Sequence, residues 1–160
     1  MSNADPACPP LRKADDFRWQ GVDLRLYKEE GAAPFKAVSR QILFSDARLQ
    51  GELRYFEVAP SGYSTLERHA HMHAVMILRG EGEVLVGPEV HLVKPNDLIT
   101  IPPWTWHQFR PAPGETLGFL CLVNAERDRP QLPTADELAA LREDAAVARF
   151  LDGREDGGRR

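Results

Sequence analysis

The sequence predicts an all-β domain, either a sandwich or a barrel of short strands. Between residues 53 and 123, strand-like segments of four to seven residues follow one another closely, and all but Ser64–His69 end at or near Gly, Pro or Asn. Many short strands joined by tight turns are typical of a sheet that closes on itself or packs against a second sheet. We find no repeat of fixed period that would indicate a solenoid or a propeller.

Composition narrows the class of protein. The chain has 160 residues, of which 42% are hydrophobic and 28% charged, and this suits one domain with its own core. A net charge of −4 argues against a nucleic-acid partner. No apolar run approaches membrane-spanning length, and the first residues lack the basic and apolar parts of a signal peptide. We therefore expect a cytoplasmic protein with no membrane partner. The chain has two cysteines, Cys8 and Cys121, and they imply no disulfide framework.

The chain divides into three predicted regions. Residues 1–16 are rich in proline and small polar residues and are predicted to form a flexible tail, and the β-domain is predicted to span residues 17–124. Strands are expected at Phe17–Lys28 (one or two short ones), Phe35–Phe44, Leu53–Val58 ending at the turn signal Pro60-Ser61-Gly62, Ser64–His69, Ala74–Leu78, Glu83–Val86, Val90–Val93, Leu98–Ile101, His107–Arg110 and Leu117–Val123.

The third region, residues 125–160, is predicted to hold a linker, one helix and a polar tail. Pro130 and Pro133 mark the linker, and Thr134-Ala135-Asp136-Glu137 has the form of a capping box. Leu138, Leu141, Ala145, Ala148 and Leu151 then form a narrow helical stripe. Such a stripe favours packing on the outside of the β-domain over binding a partner protein, and residues 153–160 are expected to fray.

Four of the five histidines fall in two short segments. Glu67, His69, His71 and His73 occupy alternate positions, and His107 follows one strand pair later. Alternate residues of a strand point to one face, so these side chains can converge. Imidazole and carboxylate ligands together suit Mn²⁺, Fe²⁺, Ni²⁺ or Zn²⁺, while the alternative is a polar core without metal.

Two segments resemble the sequence motifs of the cupin superfamily, namely residues 62–82 and 95–109. Counting back from Gly80 places His73, His69 and Glu67 in the three ligand positions of the first motif, in a changed order, and His107 in that of the second. The resemblance implies a cupin double-stranded β-helix, a jelly-roll barrel with the C-terminal helix packed outside. It also implies one divalent metal held by these four side chains.

His71 and Cys121 are candidate catalytic residues. His71 falls in the predicted turn Ala70-His71-Met72, where its side chain can swing outward into solvent, or serve as a proton carrier if it turns inward. Cys121 shares a strand face with Phe119 and Val123. If that face points inward, a thiol enters the metal cavity and can act as a nucleophile, whereas the alternative is a small buried apolar residue.

The second motif departs from the family beside its ligand. In the family motif, a glycine usually lies two residues after the proline that Pro102 matches, and here that position is Trp104. Trp106 immediately precedes His107. These aromatic rings either narrow the mouth of the cavity or simply fill the end of the barrel.

Within the cupins, residues 66–87 and 102–107 resemble manganese-dependent enzymes of bacterial sulfur salvage. This resemblance implies a metal-dependent methylthiotransferase or sulfurylase, with manganese as the metal. It would pass the methylthio group of a keto-sugar phosphate to a thiol, from Cys121 or from glutathione as co-substrate, and leave a 1-deoxy sugar phosphate. A cupin dioxygenase, a sugar-phosphate isomerase and a non-enzymatic small-molecule-binding cupin remain alternatives.

The partners implied are a small sugar phosphate and a second copy of the chain. The candidate phosphate-binding cations are Lys36, Arg40, Arg54, Arg68 and Arg79, which the sequence does not rank. The family resemblance implies a homodimer formed through the outer sheet and an N-terminal arm.

Overall fold

The computed structural model describes residues 9–29 and 31–153. Residues 1–8, with Cys8, and residues 154–160 belong to the predicted tails and lie outside the described residues. Within the described ranges, no helix has the length and apolar character needed to cross a membrane.

Strands dominate the described chain and run in the order that the sequence predicts. They are β1 (Ala14–Asp15), β2 (Arg18–Trp19), β3 (Arg25–Leu26), β4 (Lys36–Asp46), β5 (Gly51–Tyr63), β6 (His73–Arg79), β7 (Gly82–Val86), β8 (Glu89–Val93), β9 (Leu98–Ile101), β10 (His107–Pro111) and β11 (Leu117–Asn124). Two helices follow, α1 (Ala135–Leu141) and α2 (Ala145–Asp152).

The strands form two main antiparallel sheets and one small hairpin. The larger sheet has the order β3-β4-β5-β11-β6-β9, the smaller one has the order β10-β7-β8, and β1 pairs with β2. β11 lies between β5 and β6, although both come earlier in the chain. This arrangement places Cys121 of β11 next to residues that are far away in sequence.

The hydrophobic core lies between the two sheets. Val58, Val75 and Phe119 come from the larger sheet, and Val84 and Phe109 come from the smaller one. The rings of Phe109 and Phe119 stack with centroids 4.3 Å apart. Alternation of buried and exposed residues along β6 is the pattern expected of a strand with one face on the core. The prediction of an all-β architecture is confirmed, while the limits at residues 17 and 124 stay predictions.

β5 is longer than predicted, because it passes through Pro60-Ser61-Gly62 instead of ending there. Ser61 takes a left-handed backbone conformation with φ of 63°, and the pairing register with β4 shifts between Lys36 and Val38. A Cβ atom at Gly62 would lie only 2.6 Å from the Lys36 carbonyl oxygen. The turn signal therefore marks an irregularity within a strand, at a position where glycine allows the close approach of two backbones.

Ser64–His69 is also different from the prediction, because none of the named strands covers it. Its backbone makes separate contacts instead: Ser64 N–H donates to Phe109 O at 3.0 Å, and Glu67 and His107 form an isolated β-bridge. This bridge brings Glu67 next to the start of β10.

The predicted single helix is divided into α1 and α2. The capping box at Thr134 and Glu137 is confirmed. The first helix ends at Leu141 with its C-cap at Arg142. Asp144 caps the second helix, since its carboxylate accepts hydrogen bonds from Ala146 N–H and Val147 N–H. Val147 and Phe150 of α2 pack against Leu85 on the outer side of β7. The prediction that helical structure packs outside the β-domain is confirmed.

Candidate active site

A cavity of about 200 Å³ opens between the two sheets. His69, His71, His73, His107 and Cys121 all contribute to its wall. They come from the loop before β6, from the first residues of β6 and β10, and from the middle of β11. The cavity is thus the place where the motif histidines and the inward face of β11 meet.

Three imidazoles form a tight group in this cavity. His69, His73 and His107 each offer a ring nitrogen, and these nitrogens all lie within 4.8 Å of one another. The Nε2 atoms of His69 and His73 are 2.9 Å apart. Two nitrogens bound to one ion at about 2.1 Å and at a right angle would be separated by about 3 Å. The spacing of this group, which we call the three-histidine group, therefore fits ligands of a single metal ion.

Hydrogen bonds orient these imidazoles. Nδ1 of His69 donates to the His71 carbonyl oxygen at 2.7 Å, and Nδ1 of His107 donates to the Thr105 carbonyl oxygen at 2.9 Å. Because a carbonyl only accepts, the hydrogen of each ring is on Nδ1 and the Nε2 lone pair remains free. Nδ1 of His73 lies 2.8 Å from Cys121 Sγ. Such outer partners hold metal-binding histidines in the correct orientation.

The electrostatic environment keeps the three imidazoles neutral. Burial, followed by the neighbouring His107 and His71, lowers the pKa of His69 to about 4. Burial also lowers the pKa values of His73 and His107. Neutral imidazole is the form that binds a metal, so the donor set fits a divalent ion.

Glu67 reaches the same cavity but makes a different contact. Its buried carboxylate is ion-paired with Lys28 Nζ, and it lies outside the group of ligand atoms that are mutually within 4.8 Å. Its backbone is fixed against His107, since His107 N–H donates to Glu67 O at 3.1 Å. The structure thus brings three of the four predicted ligands together and places the fourth beside them, held by a lysine. Lys28 was not identified from the sequence, because it lies 39 residues before its partner.

Of the two positions considered for the His71 side chain, outward into solvent or inward, the structure shows the inward one. Its side chain is only 8% exposed, and its ring stacks on that of His69 with centroids 3.5 Å apart and an interplanar angle of 3°. Its Nδ1 donates to Asp128 Oδ1 at 2.7 Å. Asp128 also accepts from the backbone N–H groups of Ala70 and His71, at 2.7 and 3.0 Å. This carboxylate, 57 residues further along the chain, draws the turn and its imidazole towards the cavity.

Asp128 itself was not identified from the sequence. Burial tends to raise the pKa of its carboxyl group, but the hydrogen bonds from Ala70 and His71 outweigh burial and hold the pKa well below its usual range. A single Asp-Arg-Pro segment after the last strand carries no local signal of this role, since its partners are distant in sequence.

Cys121 faces the cavity, as the alternation along β11 allows. The thiol is buried, and burial raises its pKa, while the positive charge of Arg54 opposes this shift. Arg54 Nη2 donates to Cys121 Sγ at 3.6 Å. Cys121 therefore has a cation on one side and the imidazole of His73 on the other, both able to stabilise a thiolate.

Comparison with known proteins agrees with this geometry. The model of the family described as Cupin domain matches residues 54–123. A curated 1-methylthio-D-xylulose 5-phosphate methylsulfurylase from Rhodospirillum rubrum is 62% identical over 152 residues, which are 95% of this chain and 96% of that protein. The chain belongs to the cupin family. The predictions of a cupin barrel and of an enzyme are confirmed, since the named relative is an enzyme.

Solved structures are similar to this cupin over most of its length. A cupin-2 domain protein from Rhodospirillum rubrum has a TM-score of 0.81 at 62% identity, and covers 91% of this chain and 98% of its own. A cupin 2 conserved barrel domain protein from Rhodopseudomonas palustris has a TM-score of 0.82 at 60% identity, and covers 88% of this chain and 97% of its own. The cupin fold together with the three-histidine group suggests a bound metal.

The two tryptophans of this cupin do not line the cavity. Trp104 is 51% exposed, and its backbone is left-handed with φ of 59°. The position thus keeps the conformation that glycine adopts most easily, although the residue is a tryptophan. Trp106 lies under Arg68, whose guanidinium carbon is 4.4 Å from the ring centroid. The hypothesis that these rings narrow the mouth is wrong.

The candidate cations of this cupin separate into two sets. Arg40 and Arg54 line the cavity. Lys36, Arg68 and Arg79 do not; Arg68 is paired with Glu137, and Arg79 with Glu57. The cavity wall also contains Arg127 and Lys28, which the sequence did not indicate.

Proposed function

We propose that this cupin transfers the methylthio group of 1-methylthio-xylulose 5-phosphate to a thiol and releases 1-deoxyxylulose 5-phosphate. The observation that carries the proposal is the 62% identity, over 95% of the chain, with an enzyme named for that substrate. The cavity supports it independently, because the Cys121 thiol lies 2.8 Å from Nδ1 of His73, which belongs to a group of three neutral imidazoles.

We assign one divalent ion, manganese in preference to iron, nickel or zinc, to Glu67, His69, His73 and His107. The inward Nε2 atoms, the lowered imidazole pKa values and the adjacent carboxylate support this ligand set. Bound there, the ion would supply positive charge against the ketone and neighbouring hydroxyl oxygens of a substrate. Lys28 would hold the Glu67 carboxylate in position and balance its charge when no ion does so.

The proposed transfer step begins at a thiol, either that of Cys121 or that of glutathione. The sulfur of a thiolate attacks the methylthio sulfur, so that an S–S bond forms and the bond from sulfur to C1 breaks. The electron pair of the broken bond moves to C1 and into the adjacent carbonyl as an enolate. The thiol sulfur is oxidised to the disulfide level and C1 is reduced. Where Cys121 attacks, a second thiol such as glutathione then displaces it and leaves as the mixed methyl disulfide.

In this proposal, His71 carries the proton. It would take the proton of the attacking thiol and deliver it to C1, which converts the enolate carbon into the methyl group of the product. Because Asp128 accepts the hydrogen of Nδ1, the remaining nitrogen, Nε2, is the one available for this transfer.

The direct test is turnover of 1-methylthio-xylulose 5-phosphate with Mn²⁺ and glutathione, followed by mass spectrometry of both products. We expect 1-deoxyxylulose 5-phosphate and methylthio-glutathione in equal amounts, with and without oxygen. Dependence on oxygen would show a dioxygenase instead, and protein that contains no metal and turns over no substrate would indicate a binding protein. Full turnover by Cys121→Ser would assign the attack to glutathione alone.

We further propose a cytoplasmic homodimer. Met76, Leu98 and Leu122 are 38%, 65% and 54% exposed, and they lie on the neighbouring strands β6, β9 and β11. An apolar patch of this kind on an outer sheet face favours contact with a second copy. A free thiol at Cys121 suits a reducing compartment. Light scattering of the purified protein measures its mass in solution. A mass of about twice that of the monomer, which Leu122→Glu reduces to the monomer mass, would support the dimer.

A further inference from the structure

Three arginines lie together on the wall of the active-site cavity: Arg40 on β4, Arg54 on β5 and Arg127 after β11. We call them the arginine cluster. β4 and β5 are paired neighbours, and the inward faces of both strands reach the cavity. Burial lowers the pKa of Arg40, and the positive charges of Arg54, Arg25 and Arg127 lower it further.

The cluster has more positive than negative charge. Arg54 Nε lies 3.7 Å and Arg127 Nη1 lies 3.4 Å from the same oxygen, Oε1 of Glu52. No carboxylate within residues 9–29 and 31–153 comes within 4.0 Å of the Arg40 guanidinium. Arg54 and Arg127 therefore share one carboxylate and Arg40 has none in these ranges, so the three guanidinium groups and Glu52 together carry a charge of +2.

Two donors of the cluster are buried without a hydrogen-bond partner. They are the Nε atoms of Arg40 and Arg54. The Arg54 side chain is only 9% exposed. A buried cation with unsatisfied donors is costly unless a ligand supplies acceptors. The site thus has both the charge and the free donors to take up an anion from solution.

The arginine cluster lies close to the reacting groups. Arg54 Nη2 is 3.6 Å from Cys121 Sγ, and Cys121 Sγ is 2.8 Å from His73 Nδ1. Two consecutive contacts therefore lead from the cluster to the three-histidine group. A small molecule with an anionic end can occupy both places at once.

We infer that the arginine cluster binds the phosphate group of the substrate, an inference that rests on the proposed function for the identity of the sugar. A phosphate dianion has the charge that balances +2, and its oxygens match the paired donors of guanidinium groups. A carboxylate, such as those of glutathione, would leave one positive charge unbalanced. The phosphate would hold the sugar so that its ketone end lies at the three-histidine group.

The test uses titration calorimetry of the manganese-loaded protein with xylulose 5-phosphate, xylulose and inorganic phosphate as probes. Arg40→Gln and Arg127→Gln each remove one cation of the cluster. The control is Arg149→Gln, which removes an exposed arginine that pairs with Glu83 outside the cavity. We expect each cluster variant to weaken xylulose 5-phosphate binding about 10-fold, with xylulose unaffected and the Arg149 variant like the wild type. Metal content and thermal melting confirm that the variants are folded.

Wild-type affinity for xylulose 5-phosphate in both cluster variants would overturn the inference. So would kinetics in which these substitutions raise the KM for glutathione and leave the KM for the sugar phosphate unchanged, because the cluster would then bind a carboxylate of the thiol. Failure of the proposed reaction is a separate result. If the wild type binds xylulose 5-phosphate more tightly than xylulose and the cluster variants lose this difference, the cluster is a sugar-phosphate site even when no methylthio transfer occurs.

Discussion

His71 donates its Nδ1 hydrogen to Asp128 at 2.7 Å, across 57 positions of the sequence. Since Asp128 also accepts from two backbone N–H groups of the same turn, one carboxylate fixes both the backbone and the imidazole. The pair has the geometry of a base oriented by an acid, here facing a cavity that contains a thiol.

Replacing Asp128 tests this orientation. We expect Asp128→Asn to lower kcat by about 10-fold or more, because the amide no longer favours one position of the His71 hydrogen, and to leave the metal content unchanged. Steady-state kinetics and metal analysis measure both quantities. Asp23→Asn, which removes an exposed carboxylate, is the control. An unchanged kcat in the Asp128 variant would mean that the carboxylate serves only the backbone.

The three-histidine group predicts which histidines hold metal. His73→Ala should lower the metal content from about one ion per chain to less than a tenth, since its Nε2 is 2.9 Å from that of His69 and its loss leaves only two imidazoles of the three-histidine group. His91→Ala is the matched control, because His91 lies on β8 with a side chain 50% exposed. Elemental analysis of protein purified without chelator gives the result, and equal metal content in the two variants would argue against the site.

We expect Lys28 to contribute most to the free energy of unfolding when no metal is bound. Lys28→Met leaves the Glu67 carboxylate buried without its partner, so the metal-free protein should lose about 1–3 kcal/mol of unfolding free energy. Excess Mn²⁺ should restore most of this loss if Glu67 is a ligand. Urea unfolding with and without Mn²⁺ measures the difference, with Lys94→Met at an exposed position as the control. The same loss in both conditions would remove Glu67 from the ligand set.

Gly118 should tolerate no side chain. A Cβ atom there would overlap Tyr55 Oη and lie 2.9 Å from Arg79 Cβ, so Gly118→Ala should lower the free energy of unfolding by about 2 kcal/mol or more. Gly51→Ala is a strand control, since its nearest neighbour would be 3.6 Å away. Urea unfolding compares the two variants. Similar stability of both would show that β11 and β5 can move apart without cost.

Much of the site follows from local pattern. The strand positions of His73 and His107 are readable because neighbouring strands place nearby residues on known faces, whereas His69 lies outside the named strands. Alternation along β11 also places Cys121 on one strand face with Phe119 and Val123, and the structure shows that this face points inward. The end of β5 and the division of the helix could not be predicted from the sequence. The left-handed conformation of Ser61 and the cap at Asp144 depend on strand pairing and on packing.

The sequence by itself determined an all-β domain with two cupin motifs and the histidines that these motifs contain, because each of these depends on short local patterns. Only the tertiary structure decided that Lys28 holds Glu67, that Asp128 turns His71 inward, and which of the candidate arginines face the cavity. These contacts join residues 39 and 57 positions apart or lie on different strands. Electrostatic pairing acts through space, and the order of residues along a chain does not reveal which charges the fold will bring within a few ångströms.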